Sequence, residues 1–214
     1  MKKSDSSIDK LREKKKKFLA REIAIRDSAI SLLKDIEADS VTVSLIAKDA
    51  GIGKGTIYKH FLSKTEILMR IVSDYERNIC ESIRLYVGEE NDTKDPFGVI
   101  RKYFSVRLFD PSLDRLVRKL ALILEDGNRV SQALSEIRSL KEGVDASIIS
   151  SIHPLIKKGF LQDFPSAYYH FAYISFIDGV IDKCADNKYK LDDHMQAELL
   201  TFISSIGSDM GRTH

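Results

Sequence analysis

LIAKDAGIGKGTIYKHF, residues 45–61, decides how this chain is read. Its centre, GIGKGT, admits a phosphate-cradling loop of a nucleotide enzyme or the bend between two short helices. A phosphate loop needs G-x-x-x-x-G-K-[ST] between a strand and a helix. With Gly53-Lys54 as the GK pair, the leading glycine falls on Lys48, and Gly55 stands where Ser or Thr is required. The residues before it, Val43, Ile46, Ala47 and Ala50, follow a helical period, not a strand's alternation. The helix-turn-helix reading fits on each count. That motif takes a small residue where its helices cross, a residue tolerant of positive φ in the turn, and an apolar plug in the second helix. Ala47, Gly51 and Ile57 supply the three, and Ile46, Ala50 and Ile52 fill supporting apolar positions.

The flanks carry matching punctuation. Thr42 precedes the first short helix, where its hydroxyl suits a cap. Ser63-Lys64-Thr65-Glu66 has the form of a capping box, with Glu66 expected to reach back to the Ser63 amide. Upstream, Ile25, Ala29, Leu32, Leu33 and Ile36 predict a helix over 18–37 that extends backward through the lysines of 14–17. The second helix of the motif is predicted over 54–61, with Ile57 and Phe61 turned inward. Its other face shows Lys54, Gly55, Thr56, Lys59 and His60, a basic, polar surface of the kind that enters a major groove.

Charge distribution agrees. Residues 1–64 hold 15 Lys and Arg against 9 Asp and Glu, a surplus of six positive charges; the remainder holds 19 against 23, four negative. A basic front on an acidic remainder implies that the front meets a polyanion. No stretch approaches the roughly 20 apolar residues of a membrane span, and residues 1–17 have no apolar core of a secretory signal. Cys80 and Cys184 stand alone, as free thiols in a reducing cytoplasm do. No metal-ligating set, nucleophile–base pair or cofactor motif is present in the pattern, so neither enzyme chemistry nor a cofactor is expected.

TVSLIAKDAGIGKGTIYKHFLSKTEIL resembles the DNA-binding signature of the tetracycline-repressor (TetR) family of bacterial regulators. The correspondence runs through Thr42-Val43, Ile46-Ala47, the segment 50–58, Phe61, Lys64 and Leu68, and covers roughly 25–68. The resemblance implies an all-α protein: three N-terminal helices that bind DNA, then a helical domain for a small molecule and for homodimerisation. By position it assigns Lys54, Gly55, Tyr58 and His60 to the DNA face, Lys64 to a phosphate, and Thr42 and Ser44 to further phosphate contacts. The usual Ser before the Lys is Gly53 here, which removes a hydroxyl cap. The expected division is a basic arm over 1–17, a DNA-binding domain over 18–64 and a ligand and dimer domain over 65–214.

Beyond residue 64 the periodicity predicts helices over 64–86, 96–108, 111–125, 131–152, 165–185 and 192–206. Met195, Leu199, Phe202 and Ile206 form one apolar stripe; Tyr169, Tyr173, Phe176 and Val180 offer another, and together they make half of a four-helix dimer bundle. Tyr103, Phe104, Leu108, Leu120, Leu124, Tyr168 and Phe171 are the candidate lining of an effector cavity, expected to be largely apolar. The expected partners are therefore a palindromic double-stranded operator, a small hydrophobic effector and a second copy of the chain, with no membrane. Two alternatives stand beside the repressor: a nucleotide-binding enzyme built on GIGKGT, and a helical interaction protein that uses its basic arm without sequence preference.

Overall fold

The computed structural model describes residues 3–88, 95–126, 132–186 and 192–209, and among these every regular element is helical. The chain divides into two compact units, Met1–Ile71 and Val72–His214.

The first unit opens with α1 (Lys3–Asp35). The expected helix thus continues back through the lysine run, so the segment expected as a separate arm is helical from Lys3. A short 3-10 turn (Ala38–Ser40) leads to α2 (Val43–Asp49) and α3 (Lys54–Ile57). Ile25, Ala29 and Leu33 from α1, Val41, Ile46 and Ala47, then Ile57 and Phe61 are all buried and form the interior of this unit. Three turns of α1 are therefore fixed by a stripe at positions i, i+4 and i+8, whereas Leu11 is 73% exposed. α4 (Lys64–Gly88) follows, and Ile67, Leu68 and Ile71 continue the buried set.

The second unit takes the rest of α4 and adds α5 (Gly98–Leu108), α6 (Pro111–Asp126), α7 (Gln132–Lys157), α8 (Ser166–Ala185) and α9 (Asp193–Asp209). Its larger core gathers Ile79 and Ile83 of α4, Phe97, Val99 and Ile100, Val144, Ile148, Ile152 and Leu155 of α7, and Tyr169 and Tyr173 of α8. A smaller core joins Phe104 and Leu108 to Ile177 and Ile181. α7 runs past its predicted end at 152 and contains Pro154. Proline removes one backbone donor there, yet Ile152 and Leu155 on either side are both buried, and this packing holds the last turn.

Candidate nucleic-acid interface and ligand cavity

The helix-turn-helix is assembled by local chemistry. Thr42 Oγ1 accepts from the Leu45 amide at 3.2 Å and caps α2. Gly51 sits at φ +65°, the left-handed region, and turns the chain sharply after α2. The preceding element is a helix, which removes the strand that a phosphate-binding loop requires. Gly53 caps α3 with backbone alone. α3 ends at Ile57 rather than continuing to 61, and the Phe61 amide donates to Ile57 O at 2.9 Å, closing a last turn. At the start of α4 the Ser63 hydroxyl accepts from the Glu66 amide at 3.2 Å. Glu66 reaches back one residue further than expected, to the Leu62 amide at 2.5 Å.

On the outside of this unit Thr42, Ser44, Lys54, Gly55 and Lys59 are exposed, Thr56 is half-buried, and Tyr58 is 48% exposed despite its aromatic ring. Lys64 is half-buried, and its ammonium donates to Ala38 O at 2.9 Å. His60 departs from the sequence reading. Its side chain is only 3% exposed, with Nδ1 3.8 Å from Glu22 Oε1 and the ring 4.1 Å from that of Phe18. Because α3 stops at Ile57, residue 60 leaves the phase of the exposed face and turns back onto α1. It is packing inside the unit, not part of the outward surface.

The second unit holds a cavity of about 240 Å³, walled by α4 through α8. At its floor Arg107 and Asp114 are buried together, 3% and 1% exposed. Arg107 donates Nε to Asp114 Oδ1 at 2.8 Å and Nη2 to Oδ2 at 2.9 Å, a two-pronged pair. Nη2 also donates to Asp178 Oδ1 at 2.6 Å, and Nη1 to the Tyr103 hydroxyl at 3.0 Å. The guanidinium lies 5.2 Å from the Tyr103 ring centroid, within cation–π range. Asp114 further accepts from the Tyr75 hydroxyl at 2.6 Å and from Arg118 Nε at 2.9 Å, which fills all four of its lone-pair positions. Arg118 also binds Asp182.

Burial alone raises the Asp114 carboxyl. The bonds from Arg107, Tyr75 and Arg118 outweigh it and hold the group below the usual carboxylate range. Burial likewise works against the Arg107 charge, and Asp114 more than restores it. Burial pushes the Tyr103 phenol up to about 12. Glu76 is different. It is 8% exposed, and burial pushes its carboxyl above the usual range against the pull of Lys141, whose Nζ stands 3.8 Å away, and of Arg107. His170 Nε2 lies 3.0 Å from Asp145 Oδ1 on the same wall.

Of the seven residues expected to line a cavity, Tyr103 does so. Phe104, Leu108, Leu120 and Leu124 are core, and Tyr168 and Phe171 are 66% and 74% exposed. The error has one source: helical periodicity marks which residues are apolar but not whether they meet a void or a neighbour. The charged lining of Arg107, Asp114, Glu76 and Arg118 was not foreseen. Asp178, an acid within an apolar run, is the one charged lining residue that the sequence marks as a ligand or interface contact.

Tyr169 and Tyr173, expected at a dimer interface, are also core, 7% and 4% exposed. Phe176, Met195 and Phe202 stand 36%, 42% and 55% exposed, and Phe176, Val180, Met195 and Leu199 line one apolar groove between α8 and α9. The side chain of Ile206 lies outside those described.

A capped α2, a left-handed glycine turn and a short second helix with a basic exposed face define a helix-turn-helix regulator. Residues 25–71 match the family model described as bacterial regulatory proteins, tetR family. The fatty acid metabolism regulator protein of Bacillus subtilis is 27% identical over 138 residues, 63% of this chain and 69% of that protein. The ketosteroid transcriptional regulator KstR2 of Mycobacterium tuberculosis shares the fold with a TM-score of 0.72 at 15% identity, covering 91% of this chain and 96% of that one. AibR, solved in complex with isovaleryl coenzyme A and operator DNA, superimposes with a TM-score of 0.65 at 13% identity, over 85% of this chain and 97% of that one. Residues 25–71 thus form a DNA-binding region of the tetR-family kind, and the chain as a whole has the fold of that family's regulators.

Proposed function

We propose that this chain is a cytoplasmic repressor that binds a palindromic operator as a homodimer and is released by a small effector held in the second unit. The observation that carries the reading is the pairing, in one chain with a tetR-family DNA-binding region, of an outward basic helix-turn-helix face with a cavity walled by five helices. Tyr58 and Gly55 meet base edges, and Lys54, Lys59 and Lys64 meet phosphate, with Thr42 and Ser44 adding phosphate contacts at the start of α2. AibR, solved with both isovaleryl coenzyme A and operator DNA, provides a precedent for this pairing.

The dimer forms across the α8–α9 groove through Phe176, Val180, Met195, Leu199 and Phe202. The exposed apolar side chains there support this, since such a surface is seldom left open to water. No helix among the described residues is long and apolar enough to cross a membrane. An effector that prefers one of two dimer states lowers operator affinity by its differential affinity for those states.

The test is operator selection from genomic fragments, followed by titration at several salt concentrations. Tyr58→Ala is expected to lose the selected site while the helical signal is unchanged. Lys54→Ala is expected to weaken all duplexes alike and flatten the salt slope by about one unit. Failure to select any palindromic site would refute the proposal.

A further inference from the structure

The cavity in the second unit has an uneven charge inventory. Its wall carries four carboxylates, Glu76, Asp114, Asp145 and Asp178, against three cations, Arg107, Arg118 and Lys141. The two arginines are already paired with carboxylates. Every nitrogen of Arg107 donates to Asp114, Asp178 or Tyr103, and Arg118 is divided between Asp114 and Asp182. An incoming anion would therefore meet carboxylates beside each of those cations. Asp114 is equally unavailable, because its four acceptor positions are filled.

Glu76 is the group left over. Its side chain is buried, it lines the void, and Lys141 at 3.8 Å is too distant to donate a hydrogen bond. No described protein group donates to this carboxylate, which leaves it open to a ligand N–H from the void. Around it Ile79 of α4, Val144 of α7 and Ile174 of α8 present hydrocarbon. The volume of about 240 Å³ lies below the range usual for drug-sized ligands, so the occupant is small.

Resting on the repressor reading above, the geometry points to a small amphiphilic amine as the effector, its protonated nitrogen on Glu76 and its hydrocarbon against Ile79 and Ile174. The ammonium donates to the carboxylate to which no described protein group donates and adds a positive charge beside the wall's carboxylates. Asp178, bonded through one oxygen only, and Asp145 lie on the same wall and add to the negative field there. The hydrocarbon displaces water from the apolar side and makes the effector at once hydrophobic and cationic.

The experiment uses the full chain and a matched series of n-alkylamines, n-alkanols and n-alkanoates of roughly three to eight carbons, sized to the small cavity. Calorimetric titration and melting temperature are read for each. Amines are expected to bind and raise the melting temperature, with an optimum in chain length, and the matched alcohols and acids are not. E76Q is expected to weaken amine binding about tenfold or more, the loss of one charge-assisted bond. It should melt no lower than the parent chain, which separates lost binding from lost folding. I174A widens the apolar wall and is expected to move the optimum to longer amines. No amine binding, preference for alkanoates, equal binding of alkanols, or full amine affinity in E76Q would overturn the assignment.

Operator release is measured separately on the same compounds. Amines that bind through Glu76 without loosening operator would overturn their role as effector and leave the amine site standing. Release by alkanoates alone would overturn the amine and leave the repressor.

Discussion

Arg107→Met should be the most damaging single change in the second unit. The substitution keeps an unbranched apolar stem and removes four hydrogen bonds: two to Asp114, one to Asp178 and one to Tyr103. Asp114, 1% exposed, then keeps Tyr75 and Arg118, and Asp178 loses the Arg107 donor. Breaking a buried ion pair from one side costs about 3–5 kcal/mol, since the remaining charge stays out of water. For a chain of this size that lowers the melting temperature by roughly 6–20 °C. The pH dependence identifies the cause. In the parent chain the Asp114 carboxyl is depressed in the fold, so its stability contribution is present above the unfolded value and lost as pH falls through the folded one. In the variant burial dominates and the folded value rises. Its stability is then full below about pH 4 and is lost as pH climbs through the raised value. The gap between the two melting curves should therefore be widest near pH 7 and close toward pH 4. Differential scanning calorimetry across that range is the assay. A drop of less than about 3 °C near pH 7, or a gap that does not change with pH, would refute the reasoning.

Glu76→Gln should do the opposite. The raised Glu76 carboxyl gives stability present below its unfolded value, about 4.3, and lost as pH rises through the folded one, so the amide should stabilise near pH 7 and make no difference near pH 4; a neutral-pH loss in the same calorimetry would contradict it. Gly51→Ala should cost about 1–2 kcal/mol from backbone conformation alone, because a Cβ there meets nothing within 4 Å. Gly51→Asn should cost less, and chemical denaturation distinguishes the two. Phe202→Glu places a charge on the exposed stripe of α9 and should yield monomers in sedimentation, while a stable soluble dimer would move the interface elsewhere.

What was legible in the sequence follows from how each feature is encoded. The helix-turn-helix could be read because its determinants are local. The Thr42 cap, the Gly51 turn and the Ile57 plug each act within a few residues, and all stand where their chemistry requires. His60 was misread because its fate depends on where α3 ends, and that end is set by the closing turn onto Ile57 rather than by any residue at position 60. The same limit explains α7. Pro154 is a local stop signal, overridden by burial of Ile152 and Leu155 that no local rule contains. On α8 both faces are apolar. Tyr169, Tyr173, Ile177 and Ile181 recur every four residues and are buried, while Tyr168, Phe171 and Phe176 lie on the open side. Composition cannot separate two such faces; a partner helix on one of them does.

Asp178 apart, the charged cavity floor left no mark in the sequence pattern, for a reason that bears on its role. Arg107, Tyr75, Asp114 and Asp178 come from α5, α4, α6 and α8, up to 71 residues apart in contacts that leave no periodic trace. An apolar filling of the same space would in general be no less stable, because desolvation offsets much of the attraction within a buried ion pair. Stability alone is therefore a weak reason for placing these charges here. They do fix orientation. Arg107 holds Asp114 and Asp178 in one geometry, Asp114 holds Tyr75, and Tyr75 and Glu76 are neighbours on α4. The network thus forms a polar floor beside one carboxyl to which no described protein group donates. That contrast is what a specific site needs, since a group whose partners are already supplied by the protein has little to gain from a ligand, and one without them has much to gain.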